Sequence, residues 1–81
     1  MNVTVKLFAV LRDKAGVGEL SLTMPEGASV SDAMERVLER HPELAPFASR
    51  VACAVNLVRV DRQTVLSDGD ELALLPPVSG G

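Results

Sequence analysis

The first 24 residues alternate between apolar and polar positions, which predicts two β-strands. We expect one strand over residues 3–11 and another over residues 19–24, joined by a polar, glycine-bearing loop at residues 12–18. Pro25 and Gly27 then end the second strand in a turn. Val3, Val5, Leu7, Ala9 and Leu11 share one face of the first strand, Thr4, Lys6 and Phe8 share the other, and Leu20, Leu22 and Met24 share a face of the second.

Residues 29–41 change to a helical period. Apolar residues recur there at intervals of three and four, which predicts an amphipathic helix with one buried face. Ser29 is placed to cap its N-terminus, Asp32 occupies the capping-box position, and Pro42 ends the helix. The apolar face comprises Val30, Ala33, Met34, Val37, Leu38 and His41.

The second half of the chain returns to short strand patterns. We expect an irregular connection with a short helical turn at 43–50, a buried strand at 51–56, two strand pieces around an exposed turn at 57–65, a tight turn at 66–70 and a last strand at 71–75. The order predicts an α+β domain, with one main helix on one face of a mixed sheet of four to five strands. Residues 1–75 form this domain and residues 76–81 an extended tail. Phe8 and Leu75 are expected on the uncovered face, where they need a partner.

Composition excludes several classes of protein. A chain of 81 residues holds one domain, and its net charge of −3, with no Trp or Tyr, argues against a nucleic-acid binder. No apolar run is long enough to span a membrane, and the N-terminus lacks signal-peptide features, so we expect a cytoplasmic protein that binds no membrane. With Cys53 and His41 as the sole residues of their types, no metal site and no nucleophile–base pair are expected. Cys53 lies in an apolar run, so a buried structural thiol is favoured over a persulfide carrier.

The last six residues are the most informative. Pro76 and Pro77 end the sheet, because proline cannot donate to a strand ladder, and they favour a stiff, extended exit from the domain. Val78 and Ser79 continue it, and Gly80 and Gly81 follow. Glycines can enter a narrow channel because no Cβ limits their approach. We therefore expect a tail that reaches into a partner with the carboxylate of Gly81 at its tip.

The sequence DGDELALLPPVSGG (residues 68–81) resembles the C-terminal signature of the small subunits of molybdopterin synthase, which are ubiquitin-like sulfur carriers of the β-grasp fold. The sequence VKLFAVLRDKAG (residues 5–16) is similar to the first strand and loop of that family, and Ala54-Val55-Asn56 is similar to the end of its central strand. The resemblance covers essentially the whole chain and implies the β-grasp fold.

The same resemblance implies a function and its site residues. An adenylating enzyme would use ATP and Mg²⁺ to activate the carboxylate of Gly81, and a sulfur donor protein would convert it to a thiocarboxylate. The tail from Pro76 to Gly80 would insert into a larger subunit, which transfers the sulfur to cyclic pyranopterin monophosphate within a two-plus-two heterotetramer. Phe8 and Leu75 would form the hydrophobic contact with that subunit. The catalytic groups belong to the partners, so the chain is no enzyme on its own and holds no tightly bound cofactor.

Other functions share this tail chemistry. The chain is also compatible with a sulfur carrier for thiamine, cysteine or tRNA thiolation, with a ubiquitin-like modifier that forms isopeptide bonds through Gly81, and with an interaction domain whose tail is inert. Residues 63–81 contain Asp68, Asp70 and Glu71 but no Lys or Arg. These acids indicate either a basic partner surface or simply solvated turn residues.

Overall fold

The computed structural model describes residues 1–77. In chain order this part contains β1 (Asn2–Leu7), α1 (Ala9–Ala15), β2 (Glu19–Thr23), α2 (Val30–Arg40), a 3₁₀ helix (Pro42–Arg50), β3 (Ala52–Val55), β4 (Val58–Val60) and β5 (Glu71–Leu75). None of the helices formed by these residues is long and apolar enough to cross a bilayer.

The strands form one mixed sheet in the order β2-β1-β5-β3-β4. β1 and β5 are parallel, with Val5 opposite Leu72, and the other neighbouring pairs are antiparallel. The first and last strands of the domain therefore lie side by side at its centre. This is the ubiquitin-like β-grasp arrangement, so the expected α+β class and mixed sheet are confirmed.

Alternation along the central strands builds the core. Leu72 and Leu74 are at most 1% exposed, whereas Ala73 and Leu75 between and after them face the other side and remain partly exposed. Apolar side chains of β1 and β2 project from the same face of the sheet, and the apolar side chains of α2 belong to the same core cluster. Burial of this apolar area is the main stabilising contribution to the fold. The fully buried side chains include Leu7, Leu11, Leu72, Leu74, Val3, Val5, Val30 and Val37.

The first strand ends earlier than the alternation predicts. β1 stops at Leu7, and residues expected as strand and loop form α1 instead, so that prediction was wrong. Ala9 adopts a positive φ of 51°, which turns the chain out of the sheet. Gly16, at φ 77°, ends the helix and donates its N–H to the carbonyl of Arg12 at 2.9 Å. Leu11 is buried in α1, and it was also expected on the buried face of a strand, so its apolar character does not distinguish the two conformations.

Helix α2 follows its sequence signals closely. The Ser29 hydroxyl accepts a hydrogen bond from the N–H of Asp32 at 3.2 Å, and the Asp32 carboxylate accepts one from the N–H of Ser29 at 2.9 Å. This reciprocal capping box confirms the predicted N-cap. Helix α2 ends before Pro42, where the 3₁₀ helix begins in place of the expected irregular connection and short turn.

The region after β3 also agrees with expectation. The predicted pair of strand pieces is β4 and an isolated bridge between Val65 and Ser29. Gly69 has a φ of 84°, as the predicted tight turn before β5 requires.

Candidate functional site

The tail leaves from the centre of the sheet. β5 is hydrogen-bonded to β1 on one side and to β3 on the other, so its end is held on both flanks. Pro76 and Pro77 follow β5 directly, partly exposed and outside any strand, as expected of residues that cannot extend a ladder. The predicted site residues Val78, Ser79, Gly80 and Gly81 lie outside the described residues.

The structure brings Phe8 and Leu75 to the end of the sheet from which the tail leaves. Leu7, the last residue of β1, is paired with Leu74 of the parallel strand β5. Phe8, which follows Leu7, therefore comes level with Leu75. Leu74 faces the core, and Leu75 therefore lies on the uncovered face, opposite Ala52 of β3. Phe8 is 42% exposed. An aromatic and a leucine thus form an apolar surface beside the start of the tail.

The backbone around Phe8 holds it in place at this end. Its carbonyl accepts hydrogen bonds from the N–H groups of Leu11 at 3.1 Å and Arg12 at 3.5 Å, while the N–H of Leu7 donates to the carbonyl of Gly18 at 2.9 Å. Together with the positive φ of Ala9, these bonds stop β1 directly before Phe8. The aromatic side chain consequently stands at a fixed junction between strand and helix.

One continuous row of paired residues crosses the uncovered face. The register places Glu19, Lys6, Ala73, Ala54 and Arg59 side by side across all five strands. The Lys6 Nζ lies 3.9 Å from a carboxylate oxygen of Glu19 and 3.6 Å from one of Glu71. The centre of this face is therefore formed by the small side chains of Ala73 and Ala54, with charged side chains on both sides of them.

The acids before and at the start of β5 have partners within the domain. The Asp68 carboxylate accepts a hydrogen bond from the N–H of Asn2 at 2.7 Å, and Asp70 accepts one from the N–H of Ser67 at 2.7 Å. The Asp68 bond attaches the turn to the start of β1, and the Asp70 bond closes the turn on itself. The acids thus hold the local structure, while their charge stays at the surface.

Cys53 is unsuited to nucleophilic chemistry. Its side chain is buried in the core, and burial raises the pKa of the thiol, although the nearby Arg62 and Arg59 guanidiniums act in the opposite direction. A protonated, inaccessible thiol is neither a nucleophile nor a sulfur carrier. The structural interpretation of Cys53 therefore agrees with its position.

His41 lies at the surface near the end of α2 and contacts Glu43. Its Nδ1 is 2.9 Å from a carboxylate oxygen of Glu43. A backbone hydrogen bond within Glu43 and the contact with His41 lower the pKa of the Glu43 carboxyl. Among residues 1–77, no three His, Cys, Asp or Glu side chains come together as a metal site.

A small crevice between α2, the 3₁₀ helix and the sheet has aliphatic walls. Its lining includes no charged residue and so offers no partner for a nucleotide phosphate. The lining residues are Leu11, Met34, Val37, Leu38, Leu44, Ala48, Val51 and Leu74.

The turn between β3 and β4 exposes two apolar side chains in the region, residues 57–60, where the family resemblance implies an additional apolar partner contact and where Arg59 departs from that pattern. Leu57 is 91% exposed and Val58 is 63% exposed. Alternation identified this region as an exposed turn but did not single out either side chain. A leucine directly after Asn56, where a tight hairpin favours glycine, was the available signal.

Comparison with known proteins agrees with this fold and tail. The model of the ThiS family matches residues 5–81. The chain is 36% identical over 83 residues to a molybdopterin synthase sulfur carrier subunit of Chlamydomonas reinhardtii, with both chains covered completely. Among solved structures, it is similar to SAMP1 from Haloferax volcanii, with a TM-score of 0.90 and 30% identity over the whole of both chains.

A second solved structure contains a partner. It is the complex of subunits 1 and 2 of the molybdopterin-converting factor from Helicobacter pylori, in which a chain matches with a TM-score of 0.73 and 27% identity over the full length of both. A family match over almost the whole chain, with the β-grasp topology and the Pro-Pro…Gly-Gly tail, leads to one conclusion: this chain belongs to the ThiS family.

Proposed function

We propose that this protein is the sulfur-carrier subunit of a molybdopterin synthase, with sulfur carried on the carboxylate of Gly81. The observation that carries the proposal is the placement of the tail. It leaves the central strand β5 beside Phe8 and Leu75, so the surface that a partner would grip adjoins the segment it would receive. Full-length relatives at 30–36% identity that are named molybdopterin synthase sulfur carrier subunits support the same proposal.

The chemistry proceeds in two steps at Gly81. An adenylating enzyme joins the carboxylate to the α-phosphate of ATP, with Mg²⁺ present, and pyrophosphate leaves. The resulting mixed anhydride is a good electrophile, whereas a free carboxylate is not. A sulfur donor protein then supplies sulfide-level sulfur, which attacks the acyl carbon, and AMP leaves with the former carboxylate oxygen. The sulfur stays bonded to the acyl carbon of Gly81 as the thiocarboxylate.

The carrier itself supplies the tail and the docking surface. Pro76, Pro77, Val78, Ser79 and Gly80 place the thiocarboxylate of Gly81 in the active site of the large subunit, where it donates sulfur to cyclic pyranopterin monophosphate. The large subunit supplies the catalytic groups of that transfer, and ATP and Mg²⁺ bind to the adenylating enzyme. The chain acts in the cytoplasm as part of a heterotetramer.

Phe8 and Leu75 provide the apolar contact with the large subunit. An aromatic anchor at the centre of an interface contributes much of its binding energy. Because both residues adjoin the exit of the tail, binding at this surface and insertion of the tail occur together.

Protein modification is a second candidate function. The likeness to SAMP1, a small archaeal modifier protein, favours it specifically. Both functions pass through the adenylate of Gly81 and separate afterwards, when either sulfur or a lysine amine attacks the acyl carbon.

Reconstitution separates the two functions. The protein is incubated with the adenylating enzyme, ATP, Mg²⁺ and a sulfur source, and then with the large subunit and cyclic pyranopterin monophosphate. We expect a thiocarboxylate at Gly81 and formation of the molybdopterin dithiolene. Isopeptide conjugates to lysines without dithiolene formation would instead assign the chain as a modifier.

A further inference from the structure

The sheet has two outer strands, and they differ in how much backbone they leave unpaired. β4 spans three residues (Val58–Val60), whereas β2 spans five (Glu19–Thr23). The N–H and C=O groups on the outer side of such a strand are a template for pairing with another strand. Within residues 1–77, the β2 edge is therefore the longer surface for strand pairing.

The hydrogen bonds of β2 show which of its residues face outward. The N–H of Met24 donates to the carbonyl of Met1 at 2.8 Å, which places the backbone groups of Met24 toward β1. In an antiparallel pair these groups alternate in direction along the strand, so every second residue faces away from the partner strand. The outward-facing residues of β2 are Glu19, Ser21 and Thr23, whose side chains are exposed as well.

One outward group of β2 is already occupied. Arg40, in the last turn of α2, reaches over the edge of the sheet, and its Nη1 donates to the carbonyl of Ser21 at 3.0 Å. Ser21 is the middle residue of β2, so a guanidinium stands where the central hydrogen bond of an added strand would form. Within residues 1–77, Arg40 makes no ion pair, so its side chain is committed to this one contact.

A second copy of this chain fits the edge. Antiparallel pairing of β2 with β2 of another copy, about a twofold axis at Ser21, sets Glu19 opposite Thr23 of the second copy. This register opposes no like charges, and the small side chains of the two Ser21 residues meet at the axis. All three outward residues of each copy then exchange backbone hydrogen bonds with the other copy.

Such pairing leaves the tail accessible. The tail leaves from β5, which is separated from the β2 edge by β1. Because strands related by the twofold axis run in opposite directions, the two tails would leave opposite ends of the joined sheet. Self-association at β2 is thus compatible with the proposed function and does not depend on it.

We propose that the β2 edge is a strand-pairing surface for a second copy of this chain, and that the contact of Arg40 with Ser21 closes this surface in the free protein. Pairing requires each copy to withdraw its Arg40 guanidinium, because the Ser21 carbonyl must accept from the N–H of Ser21 in the second copy. The contact is therefore autoinhibitory, since a hydrogen bond within one copy competes with a hydrogen bond between two.

Arg40→Met tests this inference, because it removes the guanidinium and keeps an unbranched side chain that favours a helix. A hydrogen bond from a charged donor corresponds to about a tenfold or larger change in an equilibrium constant, and each dimer loses two of them. We expect Arg40→Met, and likewise Arg40→Ala, to dimerise at least about 100-fold more tightly than the wild type. Sedimentation equilibrium of the free protein, at concentrations up to about 1 mM, measures this change. Hydrogen exchange of the Ser21 amide should slow in the dimer, because that N–H becomes bonded.

Arg36→Met is the matched control, since Arg36 lies one turn earlier on the exposed side of α2 and carries the same charge. It should associate no more tightly than the wild type. Adding Thr23→Glu to Arg40→Met should restore the monomer, because the introduced carboxylate faces Glu19 of the second copy. Equal association of the wild type, Arg36→Met and Arg40→Met would overturn the inference. So would a dimer that persists with Thr23→Glu or leaves the Ser21 amide unprotected, because another surface would then be paired.

Discussion

Phe8→Ala tests the assignment of the docking surface. Phe8 is 42% exposed and is not among the side chains that form the core or pack against it. Truncation should therefore change the free energy of unfolding by less than about 1 kcal/mol. Its effect should appear when the large subunit binds.

The size of that effect follows from the exposed area. A phenylalanine side chain offers about 200 Å² for burial, so the exposed 42% corresponds to about 80 Å² that a partner can cover. At about 25 cal/mol per Å², this area contributes about 2 kcal/mol, or about a 30-fold change in Kd. We expect Phe8→Ala to weaken binding of the large subunit by about this factor.

Phe47→Ala is the matched control, because Phe47 is the other aromatic residue and packs against the core. It is partly exposed, so its truncation should cost about half of the 3–5 kcal/mol typical of a buried phenylalanine, or about 2 kcal/mol of stability. Titration calorimetry with the purified large subunit gives Kd, and thermal unfolding gives stability. If Phe8→Ala binds as tightly as the wild type, or if Phe47→Ala loses more affinity than Phe8→Ala, Phe8 is not the interface anchor.

Two further predictions concern the fold. Ser29→Ala removes the capping box of α2 and should lower the free energy of unfolding by about 1 kcal/mol, which lowers the Tm by about 4–8 °C. Ser31→Ala, on the exposed side of α2, should change the Tm by less than half as much. Equal shifts in the two variants would contradict the role of the cap. The pKa of the Cys53 thiol is raised in the folded state, so its contribution to stability is complete below the ordinary pKa of 9.0 and is lost as the pH rises through the folded value. Cys53→Ala should remove this loss, which is measured as the change in the free energy of unfolding between pH 8 and pH 10. In the native protein, Cys53 should react with a thiol reagent only as fast as the protein opens. Immediate labelling would contradict the buried position of the thiol.

Much of the fold could be predicted because its local signals agree with each other. Helix α2 carries an apolar face, an N-cap at Ser29 and a terminating Pro42, all of which act within a few residues along the chain. The central strand β5 alternates and is bounded by a glycine turn and by Pro76. Local rules of this kind require no knowledge of tertiary contacts.

The failures have a physical reason. Residues 9–11 continue the alternation of β1, and the positive φ of Ala9, which turns the chain out of the sheet, leaves no mark in hydrophobic periodicity. Leu57 is exposed because it lies in the two-residue turn between β3 and β4, and the pairing of Val55 with Val58 that makes this turn is not encoded in the alternation. Phe8 and Leu75 could be placed together only because the resemblance supplied the parallel pairing of β1 and β5.

The intact mass of the protein purified from cells, compared with that of a variant lacking Gly81, tests the central claim most directly. The proposal predicts a species heavier by the difference between a sulfur and an oxygen atom, present in the wild type and absent from the variant. Thermal unfolding of the two proteins should coincide, because residues 76–81 add nothing to the predicted domain. A mass that stays unmodified even after incubation with the adenylating enzyme, ATP and a sulfur source would contradict the account of this protein as a sulfur carrier.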